Sequence, residues 1–304
     1  MKMELIFNGA LALAMAGLLW PQSSTAAETN SVKASSVSQR YQVAVCDWMI
    51  LKRQKLGAFA LAKELGADGV EVDMGSLGTN ETFVSAITTN AVLRQQFLDK
   101  ASELNLGIPS LAMSGFYAQS FAERETVPRM VDDCIATMQA MNVKIAFLPL
   151  GVRGDLIKHP ELRPKIVERL KAIAPKAERA GVVIGLETSL PAAEEVKLLD
   201  EIGSPAIKSY FNFANAASAG RDVCAELRTL GKNRLCQIHC TDEDGVWLQN
   251  DPKIDMPKVR QTLDAMGWSG WLVVERSRDA RDARNVKRNF TANIAYLKSI
   301  FQKP

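Results

Sequence analysis

Two glutamates, an asparagine and a histidine carry most of the chemistry this sequence offers. Glu187, Asn212, His239 and Glu275 end four short apolar runs, Val-Val-Ile-Gly-Leu-Glu, Tyr-Phe-Asn, Gln-Ile-His and Leu-Val-Val-Glu, and successive members stand 25, 27 and 36 residues apart. Two carboxylates, one imidazole and one amide oxygen form a mostly hard donor set, suited to manganese, magnesium or cobalt more than to a thiolate-type zinc site. A divalent metal there would hold a ketose through adjacent oxygens and lower the cost of the enediolate formed when a proton leaves the carbon next to the carbonyl. Glu187 and Glu275, on opposite sides of the sugar, would then be the acid and base, one removing the proton and the other returning it. A single acid at a strand end often does no more than cap the next helix, so the expectation rests on four coincident ends. The other of the 2 histidines, His159, stands beside Pro160 in a polar helix start and reads as surface.

Such residues converge only if the elements carrying them are neighbours. From Tyr41 onward, short β-branched or apolar runs alternate with longer segments of helical spacing, the pattern of repeated βα units around a parallel sheet. Eight runs qualify: Tyr41 to Cys46, Gly69 to Asp73, Ile108 to Met113, Lys144 to Leu150, Val182 to Glu187, Ile207 to Asn212, Leu235 to His239 and Trp271 to Glu275. Segments such as Ala91 to Asn105, Phe121 to Met141, Pro160 to Ala180 and Met256 to Met266 are rich in helix formers. Gly107, Asn142, Gly181, Gly231 and Gly267 stand where a left-handed C-cap would close them. The expected fold is α/β, a single-domain (β/α)8 TIM barrel over 41–304, with no GxGxxG after the first strand to suggest a dinucleotide site. In such a barrel the chemistry lies at the C-terminal strand ends, where the four residues fall.

The first 27 residues read differently. Lys2 precedes an apolar run from about Leu5 to Leu19, and Thr25-Ala26-Ala27 before Glu28 is an acceptable cleavage site, so a signal peptide over 1–27, a polar linker over 28–40 and export to the periplasm or medium are expected. The run is too short to span a bilayer, and no membrane association is expected after cleavage. Removal leaves about 277 residues, close to the usual size of one barrel. A net charge of +3 with no dense basic helix face implies no nucleic-acid partner. The 5 cysteines include no CxxC pair and suggest neither a zinc knuckle nor a disulfide framework.

Loops at the active rim offer Trp48, Phe116, Tyr117 and Trp247, rings that could lie against the apolar face of a sugar. Arg276 and Arg278 follow Glu275 directly and could hold a carboxylate or phosphate, although alternating Arg and Asp at helical spacing more often make a solvated, self-paired face.

Gly185-Leu-Glu-Thr-Ser-Leu, Tyr210-Phe-Asn-Phe-Ala-Asn-Ala, Gln237-Ile-His, Ile254-Asp-Met-Pro and Gly270-Trp-Leu-Val-Val-Glu, with Asp47-Trp48 after the first strand, resemble the xylose isomerase-like sugar phosphate isomerase/epimerase family. The resemblance runs from about Tyr41 to Phe301. It implies a metal held at Glu187, Asn212, His239 and Glu275, with both glutamates doubling as the acid/base pair. Many members of the family have Asp where this chain has Asn212, which removes a negative charge from the site. The sequence after His239, Cys240-Thr-Asp-Glu-Asp, also departs from the His-x-Lys-Asp-like pattern expected there. Export favours a free sugar or keto-sugar over a sugar phosphate. Two alternatives stay open: a keto-glycoside lyase or hydratase on the same metal site, and a barrel that binds sugar without turnover. A metal-free glycoside hydrolase would show the two carboxylates with no histidine between them. Barrels of this type often dimerise, so a homo-oligomer also stays open.

Overall fold

The structure, a computed structural model, describes residues 40–302; the expected signal peptide and nearly all of the linker lie outside the described residues. Eight parallel strands close into a barrel in chain order. They are β1 (Tyr41–Cys46), β2 (Gly69–Asp73), β3 (Leu111–Ala112), β4 (Ile145–Pro149), β5 (Val183–Glu187), β6 (Ile207–Asn212), β7 (Leu235–His239) and β8 (Gly270–Val274). Closure is made by β1 against β8, with Tyr41 opposite Gly270 and Val45 opposite Val274. The strands are buried on both faces, which is why they read as apolar runs and not as alternating ones.

Ten α-helices surround the barrel among the described residues: α1 (Gly57–Leu65), α2 (Ala86–Thr89), α3 (Ala91–Glu103), α4 (Val127–Met141), α5 (Arg163–Ala180), α6 (Ala192–Ile202), α7 (Phe213–Ala217), α8 (Val223–Leu230), α9 (Met256–Met266) and α10 (Val286–Phe301). Two more than one per strand arise because the connections after β2 and β6 each hold a short extra helix. Side chains of Asn90, Asp222, Asp255 and Asn285 accept from first-turn amides and start α3, α8, α9 and α10. Asn142, Gly181 and Gly267 end α4, α5 and α9 with positive φ, as expected.

Two expectations need correction. The third strand is two residues long, because Pro109 has no N–H to give the ladder; the carbonyls of Gly107, Ser110 and Ala112 still accept from Val70, Val72 and Met74, so the segment does run beside β2. The left-handed residue after α3 is Asn105 (φ 52), not Gly107. Gly107 serves packing instead: a Cβ there would lie 2.7 Å from the Trp271 ring.

Candidate active site

The ends of β5, β6 and β7 are Glu187, Asn212 and His239, and Glu275 is the first residue beyond β8. Adjacent parallel strands of matched length therefore deliver all four to one rim. The Asn212 Nδ2 donates to Glu187 Oε2 at 2.9 Å and to Glu275 Oε2 at 3.3 Å. His239 Nδ1 lies 3.1 Å from Glu187 Oε2 and 3.7 Å from Glu275 Oε2. The four expected residues thus form one cluster, with one imidazole nitrogen against both carboxylates.

The role of Asn212 is visible in which atom points where. Its Oδ1 accepts from the Ala214 amide at 2.9 Å, capping α7, so the amino end faces the carboxylates. An aspartate could make the cap but would have no donor for Glu187 and Glu275.

Beneath this cluster is a second carboxylate that the sequence reading missed. Glu71, in the middle of β2, is fully buried, and its Oε2 lies 3.0 Å from His239 Nε2. Its Oε1 accepts from Ser110 Oγ and Tyr210 OH, both at 2.9 Å. Gln237 Nε2 in turn donates to both of those hydroxyls at 2.7 Å. The Cys46 thiol donates to Glu71 Oε2 at 3.4 Å, so this cysteine joins the same buried network. The signal was present in Gly-Val-Glu-Val-Asp: an acid inside a strand with both faces buried must have a partner in the interior.

Aromatic rings enclose the imidazole. Phe147 and Tyr210 lie with centroids 4.6 and 4.7 Å from His239, and Trp48 stacks against Phe147 at 6.3 Å. In this setting burial opposes the imidazolium, but the charges of Glu275 and Glu71 and the hydrogen bonds to Glu187 and Glu71 outweigh it and hold His239 well above its ordinary range. Burial pushes the Glu275 carboxyl up; the charge of His239 pulls it back and that of Glu187 adds to the rise. Burial and the neighbouring Glu71 and Glu275 raise the Cys46 thiol, which remains a donor.

Above the cluster is a cleft of about 210 Å³, with Glu187 and Glu275 in its lining and Trp48, Phe147 and Tyr117 as its aromatic walls. Arg53 and Arg276 also line it. Hollows of about 410, 500 and 570 Å³ lie elsewhere on the surface but contain none of the strand-end residues. Size alone is therefore a poor guide, and convergence of titratable groups marks the smaller cleft as the candidate site. Gly151, just after β4, sets the Tyr117 wall: a Cβ there would lie 2.3 Å from the Tyr117 carbonyl oxygen.

Trp247 does not line this cleft. Its Nε1 donates to Asn289 Oδ1 at 2.8 Å and the Arg288 guanidinium sits over its ring at 5.0 Å, so the residue packs on α10. Phe116 is buried in the core between Phe83 and Phe121. The Arg/Asp stretch is not helical apart from a short 3₁₀ turn at Ala280–Asp282. Arg278 is paired with Asp244 and Arg281 with Asp279, as a self-paired face would be, but Arg276 is not part of it.

The donor set fits a cation. Three carboxylates surround one buried imidazole, so negative charge is in excess even with His239 protonated, and a divalent ion against His239 Nδ1, Glu187 and Glu275 would offset it. Asn212 could add its oxygen only by releasing Ala214. Cys46, Glu71 and His239 also bring three donor atoms within 4.8 Å of one another, but all three are buried, with no open position for a substrate.

Comparison with known proteins agrees with this architecture. The family model described as xylose isomerase-like TIM barrel matches residues 59–300. Over 209 residues the chain is 25% identical to a 2-epi-5-epi-valiolone 7-phosphate 2-epimerase of Actinoplanes sp., a match covering 66% of this chain and 72% of that protein. D-Psicose 3-epimerase from Clostridium cellulolyticum H10, solved with D-tagatose, has a similar fold, with a TM-score of 0.68 at 14% identity over 86% of this chain and 99% of that one. The 3-keto-D-glucoside 4-epimerase of E. coli has a TM-score of 0.65 at 14% identity, over 85% and 99% of the two chains. With closed topology, strand-end cluster and family match in agreement, the chain belongs to the xylose isomerase-like TIM barrel family, whose structural neighbours here include sugar isomerases and epimerases.

Proposed function

We propose that this protein is a divalent-metal-dependent isomerase or epimerase of a small keto-sugar, working by proton transfer next to the carbonyl through an enediolate. The observation that carries the reading is the placing of Glu187 and Glu275 in one cleft, both within reach of Asn212 Nδ2 and of His239 Nδ1. Epimerase activity in the names of the Actinoplanes relative and of the D-psicose 3-epimerase neighbour supports the same reaction class.

Glu187, His239 and Glu275 would hold the metal, manganese, magnesium or cobalt, which when bound would supply positive charge where negative charge develops on the substrate oxygens. The chain's own residues do the rest. Trp48 and Phe147 lie flat enough to one another, at 14°, to offer an apolar wall to a sugar face and exclude water from it. One glutamate takes the proton from carbon and the other returns one to the same or the neighbouring carbon. The histidine in reach of both carboxylates argues against a metal-free glycoside hydrolase. One observation favours the reading as a sugar-binding barrel without turnover: the Asn212 oxygen is already engaged by Ala214. We also place the protein outside the cytoplasm, on the strength of residues 1–27.

The test is turnover of a panel of ketoses by chelator-stripped protein before and after readdition of manganese, magnesium or cobalt. Interconversion restored by one of these metals supports the proposal. Saturable sugar binding with no interconversion under any metal supports the binding-only barrel.

A further inference from the structure

We infer that the sugar this cleft takes carries an anionic group held by Arg276 and Arg53, a carboxylate in preference to a phosphate, since the proposed export favours an unphosphorylated sugar. The inference rests on the reading of the cleft as a sugar site and adds the substrate class to it.

Arg276 is half-buried and lines the cleft, yet among the described residues no carboxylate oxygen comes within 4.0 Å of its guanidinium. Arg278 holds Asp244, Arg281 holds Asp279 and Arg288 holds Asp282, whereas Arg284, which also has no ion pair among the described residues, does not line the cleft. The side chain instead stands beside the Glu275 carboxyl and the Tyr117 hydroxyl without closing an ion pair. A guanidinium keeps its charge at any ordinary pH; here Glu275 and Tyr117 favour that charge without a contact ion pair, so the planar fork facing the cleft stays open to a bidentate anion.

Arg53 reaches the same cleft from the loop after β1. Its one ion pair is a loose contact of 3.4 Å to Asp73 Oδ1, which already accepts from the Gly75 amide at 2.6 Å, while Asp73 Oδ2 accepts from Ser114 Oγ. Asp73 is fully buried and Arg53 is 39% exposed, so the contact tethers the arginine and leaves most of its five donors free.

Balancing the catalytic glutamates is the competing explanation for two arginines here. Neither arginine lies within 4.0 Å of Glu187 or Glu275, whose close partners are Asn212 and His239. Arg276 and Glu275 thus favour each other's charge without a contact pair, and a ligand that brings its own anion would complete both forks. At about 210 Å³ the cleft is below the ~300–1,000 Å³ of drug-sized sites, room for one sugar unit with a substituent.

The experiment is calorimetric titration of the manganese-loaded protein with matched neutral, uronate and 6-phosphate forms of several ketoses, repeated on Arg276→Gln, Arg276→Lys and Arg53→Gln. The expected result is that one anionic form binds about tenfold or more tighter than its neutral counterpart. That advantage should fall about tenfold in Arg276→Gln, recover in part in Arg276→Lys, and shrink as salt is raised. Whether uronate or phosphate wins identifies the group. The inference is overturned if no anionic form binds more tightly than its neutral partner, or if the advantage survives in Arg276→Gln. Solvent deuterium exchange on the same samples separates this from the proposed reaction: exchange into neutral ketoses without an anion advantage sinks the anion site alone, while arginine-dependent anion binding without exchange sinks the isomerase reading alone.

Discussion

Glu71 Oε2 stands 3.0 Å from Nε2 of His239, on the side of the ring opposite the two cleft glutamates. A carboxylate in that position fixes the ring's orientation and keeps a proton on Nε2, which aims Nδ1 at Glu187 and Glu275. Glu71 is itself fixed by Ser110 and Tyr210, so the orientation of the imidazole is set by strands β2, β3 and β6 as well as by its own.

Glu71→Gln should weaken manganese binding by about 10- to 100-fold, the usual consequence of losing a carboxylate behind a ligating histidine. Calorimetry on the folded variant checks this, and an unchanged affinity would mean that the ring is held by its aromatic surroundings alone.

Asn212→Asp should act in opposite directions on the empty and metal-bound protein. Without metal, three carboxylates would face one another and the two hydrogen bonds from Nδ2 would be lost, at a cost of about 1–3 kcal/mol. With metal, the added charge should tighten binding. Urea unfolding of the stripped protein and metal titration read the two effects separately; a variant more stable in both states would contradict the assigned hydrogen bonds.

Glu195 gives the fold a pH dependence of definite sign. Its carboxyl is buried, accepts from Thr188 Oγ1 at 3.2 Å, has its Oε1 without a partner among the described residues, and is pushed up by burial to about 7. The protonated form is favoured in the folded protein, so the stability from this group is present below the ordinary glutamate pKa and is lost as pH rises from about 4.5 through 7. Glu195→Gln should remove up to about 1.4 kcal/mol per pH unit of slope in that window. Parallel unfolding curves at pH 5 and pH 7.5 for both proteins provide the comparison, and an unchanged slope would place the charge elsewhere.

Gly151→Ala should displace the Tyr117 wall, because the new Cβ would meet backbone and not a movable side chain. A loss of about 1–3 kcal/mol in stability together with a raised KM is expected, from thermal unfolding and steady-state kinetics.

The barrel was legible because parallel strands buried on both faces leave near-continuous apolar runs, and one βα unit after another then fixes which ends are neighbours. Glu187, Asn212, His239 and Glu275 could be placed together on that ground alone. Glu71 was hidden by the same rule: inside a strand it counted as part of an apolar run, and only the folded barrel shows it reaching across to His239 from β2. Loop residues were the least legible. Trp247 and Tyr117 looked alike in sequence, yet one is tied to Asn289 and the other lines the cleft, a difference that depends on contacts remote in the chain.

The most direct measurement is deuterium uptake from heavy water next to the ketose carbonyl, by metal-loaded wild type and by Glu275→Gln. Metal-dependent uptake that falls by about 100-fold or more in the variant is the expected result. Uptake that persists in Glu275→Gln, or that proceeds equally in chelator-stripped protein, would contradict proton transfer by this carboxylate at a metal site.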